Sequence, residues 1–532
     1  DSMPQFARSR LALLILGGLA GSLPASVHAQ CVSGITIDSV VVQAGGVFDE
    51  PGSELDLFSR LANSLHVRTR TGVIRRTLLV RAGDCYDPAR VAESERALWA
   101  LGVFRAVRLD TLRLEDGRLA LRATTADGWS ARPVVDYSRT GPATTWELGV
   151  FERNILGTAA QLFASYRSTP DRNWVALQYY TPHLFAPGLV LWARHSEMSN
   201  GRQSIWLVGQ PFRETRARRS ATFEGEALDE QFLDFGEQTT TPGPRGRFYR
   251  LGFNVSYAPH ATTRSYLRLW LGLRWRDESY SPADSVPYGP PSRYATLGTG
   301  VEVARVHFRS IRRLNTYGRP EWVDLSPWLR AGVWAGRRAW GYPDDRAGPG
   351  IEVRSRLGVA LPANRGHAVG YLDATGGWVN GVLDSGYVRA RLTTVVQVGK
   401  HTALIHADRA HYLGQRPWGG FDLWMEGRGP RLLPPHEFRG QLVWWALLED
   451  RYRLSESFLR QFGVGISPFV EYAESRFVNG AFSAGGDIGM ALRVVPLRMA
   501  AHEITELSVG YRFGGGRGVD GWGVGVRKGR FF

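Results

Sequence analysis

From about residue 130 onward, apolar and polar residues alternate in short runs, the period of strands whose two faces meet different surroundings. Leu267, Leu269, Leu271, Leu273 and Trp275 share one face, and Arg268, Trp270, Gly272, Arg274 and Arg276 the other. Val388, Ala390, Leu392, Thr394, Val396 and Val398 oppose Arg389, Arg391, Thr393 and Gln397. Thr505, Leu507, Val509, Tyr511 and Phe513 oppose Glu506, Ser508, Gly510 and Arg512. About twenty such runs fit between Ser130 and Phe532. Short connections (Asn154 to Thr158, Asn364 to His367, Lys400 to Thr402) alternate with longer ones (Asp229 to Gly246, Ser279 to Ser292, Gln415 to Arg439). An Arg-bearing face that alternates with an apolar one, strand after strand, fits an oily exterior and a wet interior better than a soluble sandwich. Tyr179, Tyr180, Trp206, Trp444 and Trp445 stand near run ends, where aromatic girdles belong.

The first part of the chain follows a different pattern. Ile35, Ile37, Val40 and Val42 mark a strand. Gly72 to Leu79 suits a short helix with Val73, Ile74, Leu78 and Leu79 inward. Asp87 and Pro88 form a helix start, with Asp as N-cap and Pro in the first turn. Val91, Ser94, Leu98 and Leu101 then fall on one helical face, and Gly102 supplies the left-handed stop. Ala106 to Leu114 and Leu119 to Thr125 read as a hairpin. The order is strand, helix, helix, strand, strand.

Composition narrows the classes. Mean hydropathy is −0.21, which excludes a bundle of membrane helices but not a barrel, where only every second strand residue must be apolar. The formal net charge of +15 is spread through strand-like segments rather than clustered on a helix, so nucleic acid is not an expected partner. An Arg-lined lumen and rims facing anionic lipid account for it instead. Residues 1–29 have the form of an export signal: Arg8 and Arg10, an apolar stretch from Leu11 to Leu23, then Val27-His28-Ala29. An exported chain with two cysteines favours a Cys31–Cys85 disulfide. The alternative, lipid attachment at Cys31, needs a small residue where Gln30 stands.

Residues 30–127 resemble a POTRA domain, the periplasmic module of outer-membrane assembly barrels. The resemblance rests on His66-Val67-Arg68-Thr69-Arg70, Val73-Ile74-Arg75-Arg76, Gly83-Asp84, Glu93 to Leu98 and Leu101-Gly102-Val103-Phe104. Residues 128–532 resemble the barrels that carry such modules, the BamA- and TamA-like assembly proteins and the two-partner secretion transporters. Asn154-Ile155-Leu156-Gly157 is similar to the family's early turn. A loop at about 415–440, ending in Phe438-Arg439-Gly440, is similar to the family's lumen loop, with Gln441 where an aromatic is usual. Phe469-Val470-Glu471-Tyr472-Ala473 resembles the acidic lumen strand that receives the loop arginine. The resemblance implies that Arg439 pairs with Glu471, the loop being pinned by directional charge-assisted bonds. It also implies about 16 strands, whereas the runs number up to about 20, fifteen before the loop and five after. The ending, with Trp522, Val524, Val526 and Phe532, resembles the family's assembly signal.

The expected fold is thus an all-β transmembrane barrel preceded by one small α/β POTRA domain. The expected site is the bacterial outer membrane, with the POTRA-like module in the periplasm. Expected partners are outer-membrane lipid, lipopolysaccharide and extended client proteins captured by edge pairing. The alternative is a passive channel with a structural periplasmic domain. No catalytic set, metal motif or cofactor motif stands out. Gly516, Gly518 and Gly521 match a dinucleotide spacing but precede a strand, not a helix. His406 and His411 lie on opposite strand faces, which excludes a shared metal.

Overall fold

The computed structural model describes residues 34–528 apart from 48–65, 116, 141–142, 236–239, 282–291, 318, 344–347, 415–419, 478–481, 501–503 and 515–519. The expected export signal, Cys31 and Phe532 lie outside the described residues.

The N-terminal module holds β1 (Ile37–Gly45), α1 (Thr71–Thr77), α2 (Pro88–Ala100), β2 (Phe104–Arg113) and β3 (Leu119–Asp127). Its sheet order is β1-β3-β2, with β1 parallel and β2 antiparallel to β3. Among the described residues two helices intervene between β1 and β2, which lets the chain cross over and place β3 centrally. Asp87 caps α2 by accepting from Ala89 N–H at 2.9 Å. Val73, Ile74, Leu98, Val103 and Phe104 form the core between helices and sheet. Gly102 closes α2 at φ +69°.

The rest of the chain closes into one antiparallel barrel of 20 strands, from Ala131–Thr140 to Gly521–Lys528. The run count is therefore correct, and the 16 strands implied by resemblance are not. The alternation works as expected. Leu269, Leu271 and Leu273 point outward at 46–48% exposure, while Trp270 between them is 2% exposed and faces in. An apolar outer belt of this extent cannot face water at low cost, and hydrocarbon is its natural surrounding. Asp229 to Gly246 corrects another expectation. It is not a long loop, because strands Arg219–Phe235 and Thr240–Ala261 continue through most of it, paired out to Phe235↔Thr240. The polar residues there sit on strands that extend beyond the belt.

Turns on one end of the barrel meet the module. Arg70 N–H donates to Gly157 O at 2.9 Å, and Asn154 Nδ2 donates to Val67 O and Thr69 Oγ1 at 3.2 and 3.0 Å. Gly157 has φ +73°, and a Cβ there would sit 2.3 Å from Arg68 O, so the turn needs glycine to let the module approach. Glu93 on α2 accepts from both the N–H and the Oγ1 of Thr215, each at 2.7 Å.

A number of strands above what filled small barrels use widens the interior. Here two segments of the chain enter that interior. A loop enters from the end away from the module, and residues 306–327 enter from the module's end.

Candidate functional site

The loop between strands His401–Tyr412 and Leu442–Phe458 folds back into the lumen. Its two limbs pair through Phe421–Asp422 and Arg439–Gly440. Between them runs Gly429-Pro430-Arg431-Leu432-Leu433-Pro434-Pro435, whose prolines restrict the backbone on both sides of Arg431.

Arg431, not Arg439, is the residue that meets Glu471. Its Nε and Nη2 donate to Glu471 Oε1 at 3.1 and 2.9 Å, and its own backbone N–H donates to Oε2 at 2.6 Å. Nη2 also reaches Glu449 Oε2 at 3.3 Å, and the guanidinium lies 3.9 Å over the Phe469 ring. The next residue extends the grip, as Leu432 N–H donates to Asp487 Oδ2 at 2.6 Å. Arg493 Nη1 bridges Glu449 and Glu506 at 2.7 and 2.8 Å, and Arg451 Nε donates to Glu449 at 3.2 Å. Side chains of Arg431, Glu471, Glu449, Glu506 and Arg493 are at most 2% exposed. Buried charges of this density persist only when each is met by an opposite charge or a hydrogen bond.

The expected lock of Phe438, Arg439, Gly440 and Glu471 is corrected accordingly. Glu471 is a receiving carboxylate. Phe438 is buried in the apolar cluster of the lumen. Arg439 and Gly440 form the short strand at the loop's exit, opposite Asp422 and Phe421, and Arg439 lies 5.4 Å over the Phe477 ring. Gly440 sits against Arg476, several strand positions from Glu471, too far for its neighbour's guanidinium to bridge. The local motif Phe-Arg-Gly drew attention to the wrong arginine. The prolines that flank Arg431 are visible in the sequence, but they do not say which of the two arginines descends to the acid.

Two further contacts hold the loop. Asp408 on the wall takes Arg389 bidentately, Nε to Oδ1 at 2.9 Å and Nη2 to Oδ2 at 2.6 Å, and also meets Arg428 of the loop. Nearer the distal rim, His436 is buried between two carboxylates, Asp422 at 2.5 Å and Asp171 at 3.5 Å, with its ring edge-on to Trp424. Burial alone lowers the imidazole pKa, but hydrogen bonds to Asp171 and Asp422 outweigh it and raise the value. Burial raises Asp171, and the bonds from His436 and Arg172 reverse that and bring it down to about 2.

At the opposite end, His183 joins barrel to module. Its Nδ1 accepts from Gly188 N–H at 3.0 Å, and its Nε2 lies 3.0 Å from Thr77 Oγ1 on α1. Thr77 Oγ1 donates to Val73 O, so Nε2 carries the proton. Burial, then Arg213 and Arg76, push the His183 pKa down to about 4.

Among the described residues, the last strand closes on the first through Val524↔Arg139, Gly525↔Ser138 and Val526↔Tyr137, far fewer pairs than other neighbouring strands of the barrel make. Trp522 and Val524 point outward, at 72% and 45% exposure. Among the described residues, no group of three or more His, Cys, Asp or Glu is placed to hold a metal.

A segment of 155 residues is 24% identical to outer membrane protein assembly factor BamA of Neorickettsia risticii (strain Illinois). That match takes in 27% of this chain and spans 20% of the length of the relative. Among solved structures, CdiB from Escherichia coli aligns with TM-score 0.45 at 11% identity, over 97% of this chain and 96% of that one. BamA from Haemophilus ducreyi lacking POTRA domains 1–3 aligns with TM-score 0.38 at 11% identity, over 93% and 84%. No protein-family model matches the chain.

Proposed function

We propose that this chain, which resembles the POTRA-bearing assembly and translocation barrels in sequence and in fold, assists the insertion or translocation of client proteins at the bacterial outer membrane. Residues 1–29 serve as export signal, 30–127 as a periplasmic POTRA-like module and 128–532 as the barrel. A Cys31–Cys85 disulfide would tie the start of the mature chain to the module. Cys85 pairs by an antiparallel bridge with Thr36, close in sequence to Cys31.

The observation that carries this reading is the seam. Among the described residues, adjacent barrel strands share up to 16 paired positions, whereas the first and last share three. A barrel has no edges unless one ladder opens, and the weakest ladder opens first. An opened seam exposes unpaired backbone N–H and C=O groups that an extended client segment can complete. The module offers a second pairing surface. Among the described residues β1 and β2 form ladders only with β3, so beyond Ile37, which bonds Gly83 and Asp84, both outer edges lie free of a strand partner. Two segments held inside the lumen by buried ion pairs and hydrogen bonds tell against a passive channel, because solute flow needs an open path.

A photo-crosslinker at Val41 on β1 or Arg108 on β2, in cells, tests the reading. Trapping of extended outer-membrane or exported polypeptides is expected. Solute flux through the purified barrel with no polypeptide trapped at either edge would instead establish the channel.

A further inference from the structure

Strands Ser292–Arg305 and Trp328–Gly336 are neighbours in the barrel, yet the chain between them does not turn directly. Residues 306–327 form a hairpin, Phe308–Arg312 with Pro320–Asp324, that rises from the module's end into the lumen. Its tip is built to hold a shape. The Glu321 carboxylate accepts from backbone N–H of Leu314, Asn315 and Thr316 at 2.9–3.0 Å, and from Thr316 Oγ1 at 3.1 Å. Its seat is equally specific. Tyr317 lies against Gly463 and Gly465, where added Cβ atoms would stand 2.3 and 2.5 Å from Tyr317 atoms. Gln397 Nε2 donates to Arg312 O and Arg313 O at 3.0 and 3.3 Å.

The tip meets the ion network that receives the distal loop. Arg451 Nη1 donates to Leu314 O at 3.0 Å and to Asn315 Oδ1 at 2.7 Å, while its Nε donates to Glu449, the carboxylate that Arg431 also contacts. Ile311 and Leu314 of the hairpin belong to the same buried apolar cluster as Leu423, Leu432, Leu433 and Phe438 of the loop. At its base the hairpin is clasped by α2. Arg96 lies 4.3 Å over Phe308 and 5.5 Å over Trp322, and on the tip side Arg319 lies 5.6 Å over Trp99 of the same helix.

We propose that residues 306–327 are a second plug, entering from the module's end, and that Glu449 and Arg451 couple it to the distal loop so that each plug holds the other in place. The physical reason is the shared apolar cluster and the shared carboxylate. Withdrawing one plug exposes apolar surface of the other and strips a partner from a buried charge, both unfavourable. Clasping by α2 makes the hairpin the element through which movement of the module reaches the lumen. The proposal concerns closure of the barrel and stands whichever polypeptide or solute passes.

Full-length barrels in planar bilayers test it. One variant replaces residues 309–323 with a short Gly-Ser linker, a second replaces 420–440, and a third combines both. The expected result is a several-fold rise in conductance for the combined variant over the loop-shortened one. Equal conductance of those two would overturn the second plug. Hydrogen exchange at residues 430–433 reads the coupling in chains that keep every strand. Glu321→Ala and Asn315→Ala are expected to speed exchange there several-fold, and unchanged exchange would overturn the coupling even if a shortened barrel failed to insert.

Discussion

Arg431 and Glu471, 40 residues apart in sequence, share three hydrogen bonds inside the barrel, two from the guanidinium and one from the arginine's own backbone N–H. Fixing the backbone as well as the side chain leaves the loop no freedom to pivot about the ion pair. This is a stronger restraint than a side-chain pair alone, and it is placed where a pore would otherwise run.

Replacing Arg431 by Ala should therefore leave Glu471 buried without its main partner and take one of three arginines from Glu449. Removing one member of such a pair costs about 3–5 kcal/mol. The expected outcome is lower thermal stability of the barrel and a several-fold higher single-channel conductance. Arg439→Ala should change neither by much, since Arg439 sits at the loop's exit beside Phe477. An open Arg439→Ala barrel beside a closed Arg431→Ala barrel would refute the assignment.

The distal end of the loop should loosen with rising pH. His436 has a raised pKa when held by Asp422 and Asp171. Its contribution is complete below the free imidazole value of about 6.5 and fades as pH climbs through the raised one. Asp171, lowered to about 2, contributes above the free carboxyl value of about 3.9 and fades as pH falls toward 2. Hydrogen exchange across 420–424 and 434–438 measures this. His436→Gln should remove the alkaline limb, and an unchanged pH profile would contradict the role of the imidazole.

The joint between module and barrel should respond in the opposite sense. His183 is neutral in the assembled state, with its pKa lowered to about 4. A detached imidazole titrates near 6.5, so the joint is strongest above that value and weakens as pH falls toward 4. Protonation would put a second N–H where Gly188 N–H now donates. Distances between spin labels on the module and on a near-end barrel turn should broaden over that range. In His183→Asn they should not depend on pH there.

Cysteines at Ser138 and Gly525, which face each other across the seam, should form a disulfide when oxidised. The expected consequence is lost client handling with pore conductance unaltered, restored by reductant. Full activity of the oxidised barrel would show that the seam stays shut in normal work.

The order of elements in the module was legible because each carries local signals, such as the Asp87-Pro88 start, the Gly102 stop and the helical spacing of Ser94 and Leu98. Barrel strands were legible for a similar reason, since Leu269, Trp270 and Leu271 must alternate between two environments. The count of 20 also followed, because runs can be counted without knowing their partners. The partner of Glu471 did not follow. Arg431 and Arg439 lie on the same loop with the same chemistry, and only the depth to which the chain descends decides which meets the acid. Residues 308–324 resemble one more short alternating hairpin, and nothing local says that it turns inward. The sequence alone determined periodicity, and with it the elements and the two faces of the wall. Tertiary structure decided which charges share the lumen, because burial makes an ion pair strong or ruinous according to distances that lie far outside any local window.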